Sequence, residues 1–321
     1  MLDFWDIKQE ILTKIKKNGG WVNCHGHMDR AYSLTPERLK LMNKLREEKW
    51  QLNKELRKSS TVTDIYERMA KATETLLEQG CNVTGTFIDV DYDVKDKAIK
   101  AAEKVRSQYK EMKFVFLNQS SYGILTEESR KWFEYGADFV DIIGGLLKAD
   151  QGHEKEHLDI LLQAAKTRSK MVHIHVDENN IMKEKETEIL ANKVIEHEMI
   201  GKVVGIHGIS INAHPKEYRE SLYKLIKQSQ LMFIACPMSW INARRSEELT
   251  PTHNPVTPLD EMYLHGITVG LGIDNIGDIF MAFNDANLWN DLRLLMECNR
   301  FYEVDELVKI ATSNGRKILG I

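Results

Sequence analysis

The feature that most constrains the fold is a set of eight short apolar runs separated by amphipathic helical patterns. In chain order the runs are WVNCHGH (21–27), NVTGTFIDV (82–90), KFVFLNQ (113–119), FVDIIGG (139–145), MVHIHVDE (171–178), VVGIHG (203–208), LMFIACP (231–237) and ITVGLGIDN (267–275). Nearly continuous apolar runs that alternate with helices are typical of a parallel sheet covered on both faces. Eight such units in 321 residues match a (β/α)8 barrel in number and size. The sequence therefore predicts an α/β fold of the TIM-barrel type.

An open, doubly wound sheet is the alternative architecture, but no G-x-G-x-x-G follows the first run to support it. Residues 2–18 predict an N-terminal amphipathic helix. Residues 36–80 predict a long helical insertion between the first two strands, in which Asp64 and Glu67 offer a capping box. We expect its leucine stripe to pack against the barrel or a second subunit of a homo-oligomer; the stripe is Leu41, Leu45, Leu52 and Leu56. The prediction is a single domain over 1–321.

Composition narrows the class of protein without indicating its chemistry. Apolar residues make up 42% of the chain and charged residues 29%, as in globular proteins. A net charge of −4 argues against nucleic acid or an anionic membrane as a partner, and no run of 18 uncharged apolar residues predicts a transmembrane helix. The N-terminal residues lack the pattern of a signal peptide, and the four dispersed cysteines form no C-x-x-C pair. A cytoplasmic protein is the resulting expectation.

Polar side chains follow five of the eight predicted strands. The ends of strands one, three, five, six and eight carry, in order, His25 and His27, Asn118 and Gln119, His175 and Glu178, His207, and Asp274 and Asn275. Positions two apart on a strand face the same way, so His25 and His27 can converge on one object. Because the carboxyl ends of barrel strands form the active face, these side chains predict a catalytic site.

The residue types at these ends indicate metal-assisted hydrolysis. Three neutral imidazoles and one carboxylate suit Zn²⁺ or Fe²⁺ and leave a position for water. Such an ion lowers the pKa of bound water towards neutrality. Glu178 follows His175 by three residues, close enough to exchange a proton with that water, while His207 and Asp274 can hold it in line.

The order of these motifs resembles the amidohydrolase superfamily, with H-x-H after the first strand, H-x-x-E at the fifth, a single His at the sixth and G-x-D at the eighth. Within it, the chain is similar to the cytosine deaminase-like group through CHGHMDRA (24–31), FLNQSSYGI (116–124), HVDE (175–178) and GLGIDN (270–275). The resemblance extends over nearly the whole chain. It implies a mononuclear site in which one Zn²⁺ or Fe²⁺ is bound by His25, His27, His175 and Asp274.

The resemblance also implies roles for residues beside the metal. Glu178 would move a proton from water to a ring nitrogen, His207 would hydrogen-bond that water, and Gln119 would read the amide edge of the substrate. Asn275 stands where cytosine deaminase has a second acid that contacts the substrate ring, so cytosine itself is in doubt as the substrate. We expect Asn275 to contact the substrate, with Phe280 and Trp240 as pocket walls.

A second departure concerns the fold, because superfamily members usually carry a small β-sandwich built from both chain ends. Here the predicted strands are all used by the barrel, so we expect a barrel without that sandwich.

The sequence thus predicts a metal-dependent hydrolase that releases ammonia from a small nitrogen heterocycle: a cytosine-like aminopyrimidine, an aminopurine, a triazine or a cyclic amidine. One alternative is hydrolysis of a cyclic amide or another non-peptide C–N bond, which gives a ring-opened acid and no ammonia. The other alternative is a non-catalytic barrel whose polar mouth binds a ligand. The expected partner is a small heterocyclic substrate.

Overall fold

The computed structural model describes residues 5–41, 44, 46–241 and 256–321, and within them eight parallel strands follow one another around a ring. The strands are β1 (Trp21–Asn23), β2 (Cys81–Asp89), β3 (Lys113–Gln119), β4 (Ile143–Leu146), β5 (Val172–Val176), β6 (Val203–His207), β7 (Met232–Ala235) and β8 (Val269–Leu271). Strands β1–β3 and β4–β8 form two hydrogen-bonded groups. Parallel bridges from Leu117 to Ile142 and from Gly26 to Asp274 join the groups. The ring is closed, which confirms the predicted barrel.

Alternating side chains divide the apolar residues into two cores. On β5, Val172, Ile174 and Val176 face outward and pack under the surrounding helices, while His173 and His175 face the barrel interior. The inner core is a cluster of buried side chains that includes Ile318 and Leu319 at the end of the chain. His173 Nε2 lies 2.9 Å from the carbonyl oxygen of Ile318, so this histidine fastens the base of the barrel.

A close approach of β3 and β4 helps to close the ring. A Cβ atom at Gly144 would lie 2.1 Å from the backbone oxygen of Asn118, so only glycine fits there without a shift of the backbone. The Asn118 side chain occupies this junction, because its Oδ1 accepts a hydrogen bond from the Gly144 N–H at 3.0 Å. Asn118 therefore serves the fold at the end of β3, and its neighbour Gln119 is left for the site.

Helices cover the outside of the ring. Among the residues that the structure describes they are α1 (Ile7–Lys17), α2 (Pro36–Leu39), α3 (Arg46–Ser59), α4 (Val62–Glu78), α5 (Lys97–Gln108), α6 (Glu127–Phe139), α7 (Glu154–Arg168), α8 (Glu186–Glu196), α9 (Lys216–Ser229), α10 (Met238–Ile241), α11 (Leu259–Leu264), α12 (Leu288–Asn299), α13 (Val304–Ala311) and α14 (Ser313–Ile318). Helix α1 is the N-terminal helix predicted over 2–18, and it packs on α13 through buried Ile11 and Ile15. None of the described helices is long and apolar enough to cross a membrane.

The insertion over 36–80 contains α2, α3 and α4, but the capping box expected from Asp64 and Glu67 is wrong. The capping box of α4 pairs Thr61 with Asp64, because the Thr61 side chain bonds the Asp64 N–H and the Asp64 carboxylate accepts the Thr61 N–H. Leu52 and Leu56 are only half-buried, and Leu45 lies outside the described residues. The buried positions of α3 are instead polar, Asn53 and Arg57.

Every strand in the described part of the chain belongs to the barrel. Those residues therefore contain no β-sandwich.

Candidate active site

Four histidines and one aspartate converge at the carboxyl end of the barrel. The centroid of the His25 ring lies 4.9 Å from that of His27, 5.0 Å from that of His175 and 5.9 Å from that of His207. Asp274 Oδ1 lies 3.4 Å from His25 Nε2 and 3.3 Å from His27 Nε2. Asp274 Oδ2 lies 3.9 Å from His207 Nε2. Strands β1, β5, β6 and β8 thus bring together residues that are up to 249 positions apart, between His25 and Asp274.

This cluster has the donors that a divalent metal requires. It is buried, and neither ring nitrogen of His25 makes a hydrogen bond within the described residues. His175 Nδ1 lies 3.0 Å from the carbonyl oxygen of Gly145, which fixes the ring and leaves Nε2 to bind a ligand. Four side-chain donors with this mixture of imidazole and carboxylate fit Zn²⁺ or Fe²⁺.

The electrostatics keep these side chains in the protonation state that binds metal. Burial, assisted by His25, lowers the pKa of His175 to about 3, and burial together with Arg30 holds the pKa of His27 well below its usual range. Burial acts to raise the pKa of Asp274, but its contacts with His25 and His27 outweigh burial and hold that pKa well below the ordinary value. Neutral imidazoles therefore face an ionised carboxylate.

Two of these residues have a strained backbone conformation, as do eight other non-glycine residues in the described part of the chain. His207 has φ +79° and Asp274 has φ +58°, in the left-handed region that side chains other than glycine avoid at a cost of about 1–2 kcal/mol. His207 is the last residue of β6, and Asp274 lies three residues after the end of β8. Strain of this kind is typical of functional sites.

Three further side chains orient Asp274. The Ser239 hydroxyl donates to Oδ2, and Asn275 Nδ2 donates to Oδ1 at 3.0 Å. Arg30 Nε in turn donates to Asn275 Oδ1 at 3.0 Å, so the amide is held at both ends. The sequence analysis missed Ser239, whose position depends on the short helix α10. It also missed Arg30, although Arg30 lies within the CHGHMDRA motif.

The other predicted site residues lie around this centre. Glu178 is buried and close enough to His175 to act on its pKa. Gln119 is buried, and its Oε1 makes no hydrogen bond in the part of the chain that the structure describes. The Phe280 ring centroid lies 5.8 Å from the Arg30 guanidinium carbon. The Trp240 side chain lies outside the described residues. The substrate contacts expected for these side chains and for Asn275 stay predictions.

A buried polar group, here named the mouth cluster, adjoins the centre and consists of Asp29, Arg30, Arg57, Asp89, Asp91 and Asp278. Arg57 Nη1 reaches from α3 to Asp89 Oδ1 and Asp91 Oδ2, each at 3.1 Å. Arg30 Nη1 lies 3.5 Å from Asp89 Oδ2. Because Arg30 also holds Asn275, the contacts run without a break from the insertion helix to the metal-ligand candidate Asp274.

Comparisons with known proteins agree with this site. The profile of the Amidohydrolase family matches residues 20–321. A Haemophilus influenzae protein described as uncharacterized is 46% identical over 261 residues, 80% of this chain and 95% of its own length. The N-isopropylammelide isopropyl amidohydrolase of Pseudomonas sp. (strain ADP) is 28% identical over 331 aligned positions, covering 98% of this chain and 78% of that protein.

Among solved structures, 5-methylcytosine deaminase from Klebsiella pneumoniae superposes with a TM-score of 0.85 at 21% identity, covering 94% of this chain and 74% of that one. N-isopropylammelide isopropylaminohydrolase from Burkholderia multivorans gives a TM-score of 0.76 at 16% identity, with 94% and 75% coverage. These likenesses confirm the barrel fold. Together with the profile match over residues 20–321, they show that the chain belongs to the amidohydrolase family of hydrolases, as its motifs predicted.

Proposed function

We propose that this chain is a metal-dependent hydrolase that removes an exocyclic amine, as ammonia, from a small nitrogen heterocycle. The observation that carries the proposal is the buried convergence of three imidazoles and Asp274, with Glu178 beside them. Similar proteins support the reaction class, since they are named as a 5-methylcytosine deaminase and an isopropylammelide amidohydrolase.

His25, His27, His175 and Asp274 would hold one Zn²⁺ or Fe²⁺. When bound, that ion supplies an activated water as the nucleophile. His207 and Asp274 flank the position of the attacking water, since His207 Nε2 and Asp274 Oδ2 are 3.9 Å apart. The Asp274 carboxylate can accept a hydrogen bond there and the His207 imidazole can donate or accept one, and together they would orient the water towards the ring carbon that bears the amine.

Glu178 is the proton carrier in this scheme. Its carboxylate takes a proton from the water as the C–O bond forms and delivers it to the adjacent ring nitrogen. Glu178 then takes the second proton of the same water from the new hydroxyl group and passes it to the exocyclic nitrogen, so that the C–N bond breaks, neutral ammonia departs and a carbonyl group remains on the ring. Gln119 lies at the end of β3 on the same face of the barrel, where its amide can bind the ring edge.

The test is ammonia release by protein loaded with Zn²⁺ or Fe²⁺. The substrate panel would contain cytosine, isoguanine, creatinine, aminotriazines and pterins, with dihydropyrimidines beside them. We expect ammonia from at least one aminoheterocycle. A ring-opened acid without ammonia would replace the proposal by cyclic amide hydrolysis. Protein that neither retains nor takes up metal would favour a non-catalytic barrel.

The Glu178→Gln substitution tests the mechanism. We expect kcat to fall by about 10²–10⁴-fold with metal content unchanged, because general acid–base catalysis contributes factors of this size. Glu156→Gln, on the exposed surface of α7, is the matched control and should keep wild-type turnover. Wild-type kcat in Glu178→Gln would show that another group moves the proton.

A further inference from the structure

Around the metal-ligand cluster, the described residues include more buried hydrogen-bond acceptors without a partner than buried donors without one. Several buried acceptors make no hydrogen bond within the residues that the structure describes, among them Asp29 Oδ1, Gln119 Oε1 and Asp278 Oδ2. Asp29 and Asp278 lie in the segments that follow β1 and β8, and Gln119 is the last residue of β3, all at the face of the barrel that holds the metal-ligand candidates. The mouth cluster offers one donor in the same condition, Arg57 Nε. Since buried polar atoms are normally paired, the surplus of acceptors indicates a ligand that brings hydrogens.

Asp278 is the most firmly held of these acceptors. Its Oδ1 accepts hydrogen bonds from the N–H groups of Phe280 at 2.8 Å and Met281 at 2.9 Å, so the carboxylate cannot rotate freely. Its Oδ2 lies 3.8 Å from Arg30 Nε, beyond hydrogen-bonding distance. The Arg30 Nε hydrogen is already donated to Asn275. Asp278 Oδ2 is therefore a fixed acceptor that has Arg30 as a common neighbour with Asn275, and Asn275 contacts the metal-ligand candidate Asp274.

A carboxylate differs from an amide in what it can recognise. The Gln119 amide can turn over and present either oxygen or NH₂, so it does not by itself distinguish a donor from an acceptor on a ligand. An ionised carboxylate only accepts. Burial raises the pKa of Asp278 to about 6, with Arg30 acting against the rise. At pH 8 the group is ionised and rejects a carbonyl oxygen placed against it.

We propose that Asp278 is a specificity-determining residue whose Oδ2 accepts a hydrogen bond from an N–H of the substrate. The site would accordingly prefer amino-substituted heterocycles to the corresponding oxo compounds. This inference rests on the proposed function in that it places the substrate between the metal ligands and the mouth cluster, and it adds which edge of the substrate is read.

Asp278→Asn is a sharp test because the loop dictates how the new amide sits. The backbone N–H groups of Phe280 and Met281 require an acceptor at the position of Oδ1. The amide oxygen must take that position, so NH₂ replaces Oδ2. The substitution thus exchanges an acceptor for a donor with almost no change in shape. Asp285→Asn makes the same chemical change at an exposed position of the same loop and is the matched control.

Binding is measured at pH 8 by calorimetry on metal-loaded protein in a Glu178→Gln background. The probes are melamine, ammeline, ammelide and cyanuric acid, in which amino groups are replaced by oxo groups one at a time on one ring. We expect affinity to fall along the series by on the order of 10- to 100-fold overall, as for loss of a hydrogen bond to a charged group. Asp278→Asn should abolish or reverse the order, and Asp285→Asn should keep it.

Three outcomes would each overturn the inference. They are equal affinities along the series, no binding of the amino compounds, and an unchanged preference for amino compounds in Asp278→Asn. The first two outcomes need no variant at position 278, so the test stands even if that variant does not fold. Because the readout is binding, it is independent of ammonia release by the unsubstituted protein. A preference for amino compounds without ammonia release would retain the inference and reject the proposed reaction.

Discussion

Two buried carboxyl groups in this barrel have pKa values shifted in opposite directions. Asp274 is held ionised by its contacts with His25 and His27. Glu186, near the start of α8, has the opposite behaviour: burial, opposed by Lys148 and reinforced by Asp177, raises its pKa to about 8. Its Oε2 accepts the Asp177 N–H at 2.6 Å, which an uncharged oxygen can also do. A neutral side chain therefore suits position 186 better than a charged one.

We expect Glu186→Gln to stabilise the protein increasingly as pH rises from 5 to 8. The folded-state pKa lies above the ordinary glutamate value of 4.5, so folded protein retains a proton that unfolded protein releases. Wild-type stability must then decrease with rising pH over this window, and glutamine removes that loss. Urea unfolding at pH 5, 6.5 and 8 should show the gain in free energy of unfolding growing by about 1–3 kcal/mol. A gain that is independent of pH, or equal to that of the exposed control Glu196→Gln, would contradict this account.

The residues that sequence reasoning found and those that it missed differ in what places them. His25, His27 and His175 lie on or next to strands, so period-two alternation and the rule that strands end at the active face were sufficient to bring them together. Ser239 reaches Asp274 from helix α10, after β7 has ended, and its direction depends on a turn that no pattern in the sequence specifies. Asp278 follows Asp274 by four residues, but the sequence does not indicate it as a site residue. It becomes a candidate because Oδ1 accepts two backbone hydrogen bonds while Oδ2 accepts none from the described residues.

At the scale of elements, α3 covers the barrel with a polar face. Lys49, Asn53 and Arg57 are spaced at i, i+4 and i+8 and so share one side of the helix. Asn53 and Arg57 are buried, and Lys49 is half-buried within the electrostatic reach of Asp278. Because the buried side chains of α3 are polar, the position of this helix depends on the ion pairs that Arg57 makes with Asp89 and Asp91.

The Arg57→Met substitution should therefore be costly. It leaves Asp89 and Asp91 buried without the cation that lies 3.1 Å from each, and loss of one partner of a buried pair costs about 3–5 kcal/mol. Urea unfolding should show that loss, while Lys58→Met, at an exposed position on the same helix, should stay within about 0.5 kcal/mol of wild type. Adding Asp91→Asn should recover part of the stability. Equal effects of Arg57→Met and Lys58→Met would mean that α3 is held by other contacts.

The burial of polar residues of α3 in place of its leucines has the same physical origin. Helical periodicity correctly indicated that the insertion is helical, and apolar spacing normally identifies the buried face. Here the acids of β2 and its following loop, Asp89 and Asp91, lie opposite α3 and favour burial of Arg57 over Leu56. Which side of α3 is buried therefore depends on residues more than thirty positions away in the chain, and the spacing of apolar residues within the helix does not contain this information.

For the whole molecule, the metal-ligand candidates also join the first and last strands. His27 N–H bonds the carbonyl oxygen of Asp274, and the N–H groups of Ile273 and Asp274 bond that of His25. The side chains of His25 and Asp274 belong to the cluster, and their backbone groups form hydrogen bonds that close the ring of strands. Occupancy of the site by metal should consequently affect global stability as well as activity.

Chelation should lower Tm by on the order of 8–16 °C. A ligand present at a thousand times its Kd stabilises the folded state by about 4 kcal/mol, and 1 kcal/mol corresponds to about 2–4 °C in domains of roughly this size. Scanning calorimetry with and without chelator, followed by readdition of Zn²⁺ or Fe²⁺, measures the effect. His25→Ala should lose the response to chelator. An equal response in His25→Ala would place the stabilising ion elsewhere in the protein.

The closure between β1 and β8 has a further consequence for durability. Contacts between opposite ends of a chain carry the largest loop-closure entropy and tend to be made late in folding. Interactions absent from the folding transition state slow unfolding without accelerating folding. An ion held by His25, His27 and Asp274 would then mainly lower the unfolding rate of the protein. When metal is scarce, the lifetime of the folded enzyme would be set by how rarely the contact between β1 and β8 opens.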